Sequence, residues 1–191
     1  MPRRARLPRS FYARETLLVA REMLGKHLVH RRGHELLAGR IVETEAYVGP
    51  DDRACHGHRG LTERTRVMFG EPGHAYVFIV YGRQHCFNAV TESAGYPSAV
   101  LVRALEPDEG VHARTDGPGR LCAALDITKQ ACNGLDLTGD ALWLEDRGEP
   151  APRIAATPRI GVDYAGEWAA RPWRFVDADS HWLSKKLPRE K

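Results

Sequence analysis

Several features of common protein classes are scarce in this sequence or absent from it. Only four of the 191 residues are cysteines, and no two of them form a C-x-x-C pair, so neither a zinc ribbon nor a thioredoxin-like motif is indicated. No apolar run approaches the ~20 residues of a membrane span, and the arginine-rich start lacks the apolar segment of a signal peptide. These absences predict free thiols, a cytoplasmic protein and no membrane partner.

The composition is that of an ordinary globular protein. Hydrophobic residues make up 42% and charged residues 28% of the chain, and its length suits a single domain over residues 1–191. The formal net charge of +3 permits a polyanionic partner without requiring one. Basic residues crowd both ends, so residues 1–13 and 178–191 are predicted to be flexible basic tails, either solvated or in contact with nucleic acid.

The hydrophobic pattern predicts one α+β domain. Apolar residues share one face of a predicted helix over Glu15–Leu24, and Pro118 suits the first turn of a second helix over residues 117–125. Alternating or β-branched runs predict antiparallel strands. These strands cover residues 27–31, 39–48, 76–81, 86–91, 99–104, 142–145 and 173–176. The expected architecture is an antiparallel sheet with a few flanking helices.

The strand over residues 39–48 carries the main candidate for chemistry. Its alternation places two acids, Glu43 and Glu45, on one face with Tyr47, and Ile41 should share that face. From spacing alone, such acids either solubilise an exposed face or include a catalytic carboxylate. The strand leads into a polar, glycine-containing loop over residues 51–73, and loops of this length inside a compact domain are often functional.

An aromatic residue lies at the turn between the third and fourth of these strands. Hairpin tips normally carry Asn, Asp or Gly, whereas here Tyr81 and Gly82 are followed by Arg83. Tyr81 either folds back onto the sheet or acts as a wedge of the kind that enters a base stack. Spacing alone leaves both interpretations open.

Three further groups bear on chemistry. Cys55, His56 and His58 lie close together but match no usual zinc spacing, so no metal is expected, and His56 is interpreted as a pocket or loop residue. Arg103 lies among apolar neighbours, where a buried guanidinium needs a carboxylate partner. Arg120 ends the segment DGPGR at a predicted helix start, a place that attracts anions such as phosphate.

Six segments of the chain form a recognisable set. They are LLVAREMLGKHLV, GRIVETEAYVGPDDRACH, RVMFGEPGHAYVFIVYGRQHCFNAVT, AVLVRALEP, DGPGRLCAAL and TPRIGVDYAGEWAARPWRF. In this order they resemble the alkyladenine (3-methyladenine) DNA glycosylase family, over most of the chain from about Thr16 to Phe175. RIVETEAY followed by G-x-x-Y-V-x-x-x-Y-G is highly specific as a set. The resemblance implies a single mixed domain with a curved antiparallel sheet, a protruding DNA-inserting β-hairpin and no metal or organic cofactor.

The resemblance also implies roles at the reaction centre. Glu45 takes the place of the general base that deprotonates the attacking water. Arg103 and the backbone carbonyl of Ile160 would hold that water. Tyr47 and His56 would line the pocket and enclose the flipped base.

Other matched positions bear on lesion and DNA recognition. Phe78 would stack on the base at a position where the best-known members carry a third pocket tyrosine. Asn88 would screen purines against the 2-amino group of guanine, and Tyr81 would fill the gap left in the duplex. The remaining expected DNA contacts are Gly82, Arg83 and Arg120. Together with Glu63, which stands where a proline is common, the departures at Phe78 and Arg83 leave the preferred lesion open.

The predicted function is base-excision repair. The protein would flip alkylated or deaminated purines, such as 3-methyladenine, 7-methylguanine or hypoxanthine, out of double-stranded DNA and hydrolyse the N-glycosidic bond. The matched segments that supply the pocket residues contain no lysine, so no strand-cleaving lyase activity is expected. We expect a monomer, associated with the nucleoid if the source is prokaryotic. The alternatives are a non-catalytic nucleic-acid-binding module on the same fold, and a metal-dependent hydrolase that uses the Cys55, His56 and His58 group.

Overall fold

The computed structural model describes residues 4–187, so positions 1–3 and 188–191 of the predicted tails lie outside the described residues. Helices and strands follow in the order β1 (Ala5–Arg6), α1 (Arg9–Tyr12), α2 (Thr16–Glu22), β2 (His27–Arg32), β3 (Glu35–Tyr47), β4 (Ala75–Val80), β5 (Gln84–Val90), β6 (Ala99–Pro107), α3 (Pro118–Ala124), α4 (Lys129–Cys132), β7 (Leu142–Asp146), β8 (Ile154–Thr157) and β9 (Arg174–Asp177). Short 3₁₀ helices cover His56–Arg59, Arg66–Phe69 and Asp163–Ala170.

The strands of the described residues form one curled antiparallel sheet, which confirms the predicted α+β class. Its main path runs β1-β7-β2-β3-β6-β5-β4. The long strand β3 pairs with β6 along one edge, while its other edge pairs first with β2 and then with β9, which carries β8. The point where β2 gives way to β9 lies beside Glu43 and Glu45, so three strands converge on the two acids.

The main hydrophobic core lies between one face of this sheet and the helices α2 and α3. Val19 and Ala20 of α2 and Leu121 of α3 are fully buried there, together with Val77 and Phe87 of the sheet. Burial of each large apolar side chain of this kind contributes about 1.5–3 kcal/mol. Because these residues alternate along each strand, the intervening residues point to the opposite face, which carries the candidate site.

A local irregularity in β3 and β6 changes the predicted alternation. The register shifts around Val42, between the pairs Ile41–Leu105 and Glu43–Ala104, and again before the pair Thr44–Val102. Ile41 therefore packs in the main core. Strict alternation had placed it on the same face as Glu43 and Glu45, and that prediction was wrong. The physical reason is that a bulge turns two successive residues to one face.

The described parts of both predicted tails belong to the folded domain. Ala5–Arg6 pairs with β7, and Tyr12 is fully buried in the main core. Near the other end, Leu183 is buried against β3 and β6. The expectation of flexible tails was therefore wrong for these parts, because apolar residues between the basic ones find partners on the sheet. Within residues 4–187, no helix combines the length and apolar character needed to cross a membrane.

All four cysteines are buried and free. Burial raises the pKa of the Cys55 thiol to about 12 and that of Cys86 to about 11. It also raises the pKa of Cys132, and that of Cys122 well above its usual value. At neutral pH these side chains are therefore protonated thiols.

Candidate active site

A cavity of about 340 Å³ opens on the face of the sheet opposite the main core. Strands β3 to β6, the loop after β3 and the segment around residue 160 supply its walls. The cavity lies within the ~300–1,000 Å³ range of small-molecule sites. Its lining includes Tyr47, His56, Met68, Tyr76, Phe78, Tyr81, Gln84, Cys86, Asn88, Leu101, Arg103, Ile160, Val162 and Tyr164.

The carboxylate of Glu45 lies just beneath this lining and is fully buried. Its Oε2 accepts hydrogen bonds from the Tyr47 hydroxyl at 2.8 Å and from Arg103 Nη1 at 3.2 Å. Its Oε1 accepts the backbone N–H of Ile160 at 2.7 Å. An ionised carboxylate has about four lone-pair positions, so one acceptor position on Oε1 has no donor among the residues that the structure describes.

Tyr47 and Arg103 keep their protons in this environment. Burial, with the neighbouring Glu45 charge, raises the pKa of Tyr47 well above its usual value. Burial alone would lower the pKa of Arg103, but Glu45 and Glu43 outweigh it, so the net shift is upward. Both groups are therefore donors to Glu45 over the physiological pH range.

A buried ion pair fixes the segment that contains Ile160. Arg159 donates to Asp52 through Nη1 at 2.5 Å and through Nη2 at 2.9 Å, and both side chains are fully buried. The Arg159 guanidinium also lies 4.8 Å from the centre of the Tyr47 ring. The pair thus joins the loop after β3 to the residue that precedes Ile160, whose N–H meets Glu45.

Aromatic rings form one wall of the cavity. The His56 ring meets Phe78 edge-on with centroids 4.5 Å apart, and its Nδ1 lies 2.9 Å from the Tyr76 hydroxyl. Burial, with Arg64 and Arg59 nearby, lowers the pKa of His56 to about 4. At neutral pH the wall therefore presents an uncharged imidazole beside a phenyl ring.

Asn88 is held rigidly at the base of the same wall. It lies on β5, where it pairs with Tyr76 of β4 on one side and with Leu101 of β6 on the other. Its side-chain amide donates to the Tyr76 carbonyl at 3.0 Å, and its residue is 3% exposed. This bond fixes the amide plane, and therefore which polar atom faces the cavity.

The β4–β5 hairpin presents Tyr81 at the cavity rim. Tyr81 is 89% exposed, so it does not fold back onto the sheet. Tyr81 and Gly82 both have positive φ, 50° and 73°, between Val80 and Arg83, whose N–H donates to the Val80 carbonyl. That combination is typical of a type I′ turn. A tyrosine in the left-handed region costs about 1 kcal/mol or more, so the fold displays this ring at an energetic cost.

Comparisons with known proteins bear on this arrangement. The model of the methylpurine-DNA glycosylase family matches residues 10–181. The chain is 54% identical over 183 residues to a protein of Anaeromyxobacter dehalogenans, covering 96% of this chain and 88% of that one. It is 53% identical over 196 residues to a protein of Methanocella arvoryzae (95% and 97% covered) and 55% identical over 186 residues to one of Myxococcus xanthus (95% of each). Each of the three is named as a candidate 3-methyladenine DNA glycosylase.

This chain belongs to the methylpurine-DNA glycosylase family. The resemblance inferred from the sequence is thereby confirmed. The structure brings most of the predicted site residues together around one cavity, although their roles stay predictions. Those lining the cavity are Tyr47, His56, Phe78, Tyr81, Asn88, Arg103 and Ile160, and Glu45 lies directly behind them.

Two predicted DNA contacts of this member of the glycosylase family, Arg83 and Arg120, lie outside the cavity and are exposed on the surface. Both line a second cleft between the hairpin and α3. Arg120 forms an ion pair with Asp116 at 3.1 Å, and Asp116 also pairs with Arg114. Hydrogen bonding from Arg114 lowers the pKa of Asp116, so part of the positive charge predicted to meet phosphate is already balanced by an acid.

The Cys55, His56 and His58 group divides among separate partners. The Cys55 thiol donates to the Pro97 carbonyl, and His58 Nδ1 lies 2.6 Å from the Pro50 carbonyl. His56 instead points at Tyr76. In the part of the chain that the structure describes, no group of three or more His, Cys, Asp or Glu residues is arranged to hold a metal.

Sequence reasoning missed several residues of this family site. Tyr76 lines the cavity, and the alternation along β4 that exposes Phe78 there could have identified it. The Arg159–Asp52 pair joins residues 107 positions apart, so no local pattern reveals it. Glu43 received no role, yet it is fully buried against Arg103 and Arg174.

Proposed function

We propose that this protein is a DNA repair glycosylase that hydrolyses the N-glycosidic bond of damaged purines with a water activated by Glu45. The observation that carries the proposal is the geometry of Glu45. Its carboxylate is fully buried behind the cavity and is held by three donors, and one acceptor position on Oε1 has no donor among the described residues. A water at that position would donate a proton to Oε1 and direct its oxygen into the cavity.

The chemistry follows from this position. Cleavage of the N-glycosidic bond passes through a state that resembles an oxocarbenium ion, as in glycoside hydrolysis. The Glu45 carboxylate stabilises that positive charge and accepts the proton of the attacking water. Arg103, bonded to Oε2, fixes the carboxylate in place. The water oxygen bonds to the sugar carbon, the purine leaves with the bonding electrons, and an abasic site remains.

The substrate must enter the cavity as an extruded nucleotide. The reacting atom is unreachable inside a duplex, and unstacking costs a few kcal/mol, least for a damaged or mispaired base. The exposed Tyr81 ring at the hairpin tip is suited to enter the space that the base leaves. Arg83 beside it, and Arg120 across the second cleft, would contact the DNA backbone or bases.

The aromatic wall favours alkylated purines. Alkylation at N3 or N7 makes a purine cationic, and a cation over an aromatic face gains about 0.5–2 kcal/mol. Tyr47 and Phe78 would supply such faces, with the uncharged His56 beside Phe78 in the same wall. Such a base also leaves without a general acid. Asn88, fixed by its bond to the Tyr76 carbonyl, would reject the 2-amino group of normal guanine.

We further propose that the protein acts as a monomer on double-stranded DNA in the cytoplasm or nucleoid, without cutting the strand. The described residues that line the cavity include no lysine that could form a Schiff base with the sugar. Strand breaks should therefore appear only after alkali treatment of the product.

The decisive experiment compares Glu45→Gln with Glu35→Gln. Glu35 lies on the same strand but is exposed, so it is a matched control. In single-turnover assays with a duplex that holds one hypoxanthine or 3-methyladenine, wild type and Glu35→Gln should release the base. Glu45→Gln should bind the duplex but release the base at least about 100-fold more slowly, the lower range for loss of a general base.

Two outcomes would contradict the proposal. Full activity of Glu45→Gln would eliminate the mechanism. A wild-type protein that binds damaged duplexes but releases no alkylated or deaminated purine would favour the non-catalytic binding module. Excess chelator is added throughout, because loss of activity in its presence would revive the metal-dependent alternative.

A further inference from the structure

We propose that Ser184, in the segment over residues 182–187, is a positioning residue that sets the alignment of Arg103 behind the reaction centre. We call this segment the C-terminal strap. The inference rests on the proposed glycosylase function, since the alignment matters only if Glu45 and Arg103 act on a water. It concerns residues beyond position 181, where the match to the family model ends.

The strap reaches the site through the second buried acid, Glu43. Its carboxylate is fully buried and accepts four hydrogen bonds from three residues. Ser184 donates through its backbone N–H at 2.6 Å and through its hydroxyl at 2.7 Å. Arg174 Nε donates at 2.7 Å and Arg103 Nε at 3.2 Å. Half of the bonds that hold this acid therefore come from the strap.

Arg103 is shared between the two acids. Its Nε meets Glu43 Oε1, while its Nη1 meets Glu45 Oε2 at the same distance of 3.2 Å. The Ser184 hydroxyl also lies 3.3 Å from the same Nε, as an acceptor. The Nε side of the guanidinium is thus fixed by Glu43 and Ser184, and the planar group transmits that orientation to the Nη1 contact with Glu45.

The strap is itself anchored to the sheet. Leu183 is buried in a small cluster with Val42 and Ala104, the residues at the irregularity of β3 and β6. The carbonyl of Lys185 accepts a bond from Arg174 Nη2 at 2.5 Å. Ser184 therefore lies between two fixed points, and its hydroxyl has a defined place beside Glu43.

Charge balance explains why one hydroxyl matters here. Two buried carboxylates, Glu43 and Glu45, face two guanidinium groups, Arg103 and Arg174. Such clusters persist only when their remaining lone pairs and protons are satisfied. Loss of the Ser184 hydroxyl leaves Glu43 short of a donor, so Arg103 is drawn toward Glu43 and away from Glu45.

The test uses the full-length chain with Ser184→Ala, Ser184→Thr and the control Ser93→Ala. Ser93 is exposed and lies outside this cluster. In single-turnover base release from a hypoxanthine duplex, Ser184→Ala should reduce the rate constant by about tenfold, the effect of losing one hydrogen bond to a charged group. Its affinity for the duplex should stay at the wild-type value. Ser184→Thr keeps the hydroxyl and should restore most of the rate.

The rate constant and the amplitude separate a positioning role from a merely structural one. If Ser184 only supported folding, the variant would lose reaction amplitude and thermal stability while the remaining active molecules kept the wild-type rate constant. That result, or a Ser184→Ala rate constant within twofold of wild type, would overturn the inference. A wild-type protein without base release would instead refute the proposed function.

A second variant tests the same alignment from the other side. Glu43→Gln keeps the shape of the side chain but removes the charge that holds Arg103 Nε. Its rate constant should fall at least as far as that of Ser184→Ala, again with unchanged duplex affinity. If Glu43→Gln folds and retains the wild-type rate constant, the strap has no link to Arg103 and the inference fails.

Discussion

Replacing Asp52 with asparagine tests whether the buried ion pair with Arg159 holds the site together. The change preserves size and shape but removes the charge that faces the Arg159 guanidinium, whose side chain is fully buried. Among the described residues, Arg159 would keep the carbonyls of Ala46 and Trp168 as acceptors, and at most the single amide oxygen of the new side chain. Asp52 also caps the backbone N–H groups of Val48 and Ala54, and an amide has only one oxygen to accept them.

The expected cost is large compared with the stability of a single domain. Breaking a buried pair by removing one partner costs about 3–5 kcal/mol, against a total of about 5–15 kcal/mol for a typical domain. For a chain of this length, 1 kcal/mol shifts the melting temperature by about 2–4 °C. Asp52→Asn should therefore melt about 6–20 °C below wild type.

Thermal unfolding followed by circular dichroism provides the measurement. The matched control is Asp51→Asn, an exposed neighbour whose loss should change the melting temperature little. Base release by Asp52→Asn should also slow, because the pair fixes the segment that brings the Ile160 N–H to Glu45. If Asp52→Asn melts within about 2 °C of wild type, less than the shift expected for 1 kcal/mol, the pair does not anchor this loop.

Two further predictions concern a buried histidine and the hairpin tip. Burial, with Arg147 nearby, lowers the pKa of His27 to about 4. Between about pH 4 and 6.5 the unfolded chain therefore binds more protons than the folded one, so the stability of the fold decreases as the pH falls through that window. The dependence of melting temperature on pH in that window should flatten in His27→Gln. An unchanged slope would show that His27 does not cause the loss of stability. Tyr81→Asn should melt about 2–4 °C higher, because asparagine tolerates positive φ, yet release bases at least about tenfold more slowly. If Tyr81→Asn lost stability and kept full activity, Tyr81 would neither strain the turn nor act as a wedge in the DNA.

Local patterns predicted the parts of the fold that depend on near neighbours. The alternation of β4 and β5 and the apolar face of α2 follow directly from side-chain period. The predicted strands ended at residue 81 and resumed at residue 86, whereas β4 ends at Val80, β5 begins at Gln84 and the turn lies at Tyr81 to Arg83. Turn preferences argue against a tyrosine with positive φ, and the strain at Tyr81 is a departure of the kind found where function overrides local preference.

Long-range interactions account for what the sequence could not predict at the site. Glu43 accepts hydrogen bonds from Arg174 and Ser184, which lie 131 and 141 positions away in the sequence. The residue spacing along β3 therefore could not predict either contact. The lysines at 185 and 186 suggested a solvated tail, although Trp182 and Leu183 nearby carried the opposite signal. The irregularity at Val42 is likewise set by packing between strands, so strict alternation placed Ile41 on the wrong face.

The four buried thiols have a consequence for survival under chemical stress. Electrophiles that methylate DNA also attack cysteine, but they react with the thiolate, which forms only when the pKa is near or below ambient pH. Burial holds the pKa of Cys55 near 12 and that of Cys86 near 11 and raises those of the other two. Cys86 even lines the cavity. In a cell exposed to a methylating agent, these four thiols would thus react slowly, while the purines of the DNA accumulate the lesions that we propose this protein removes.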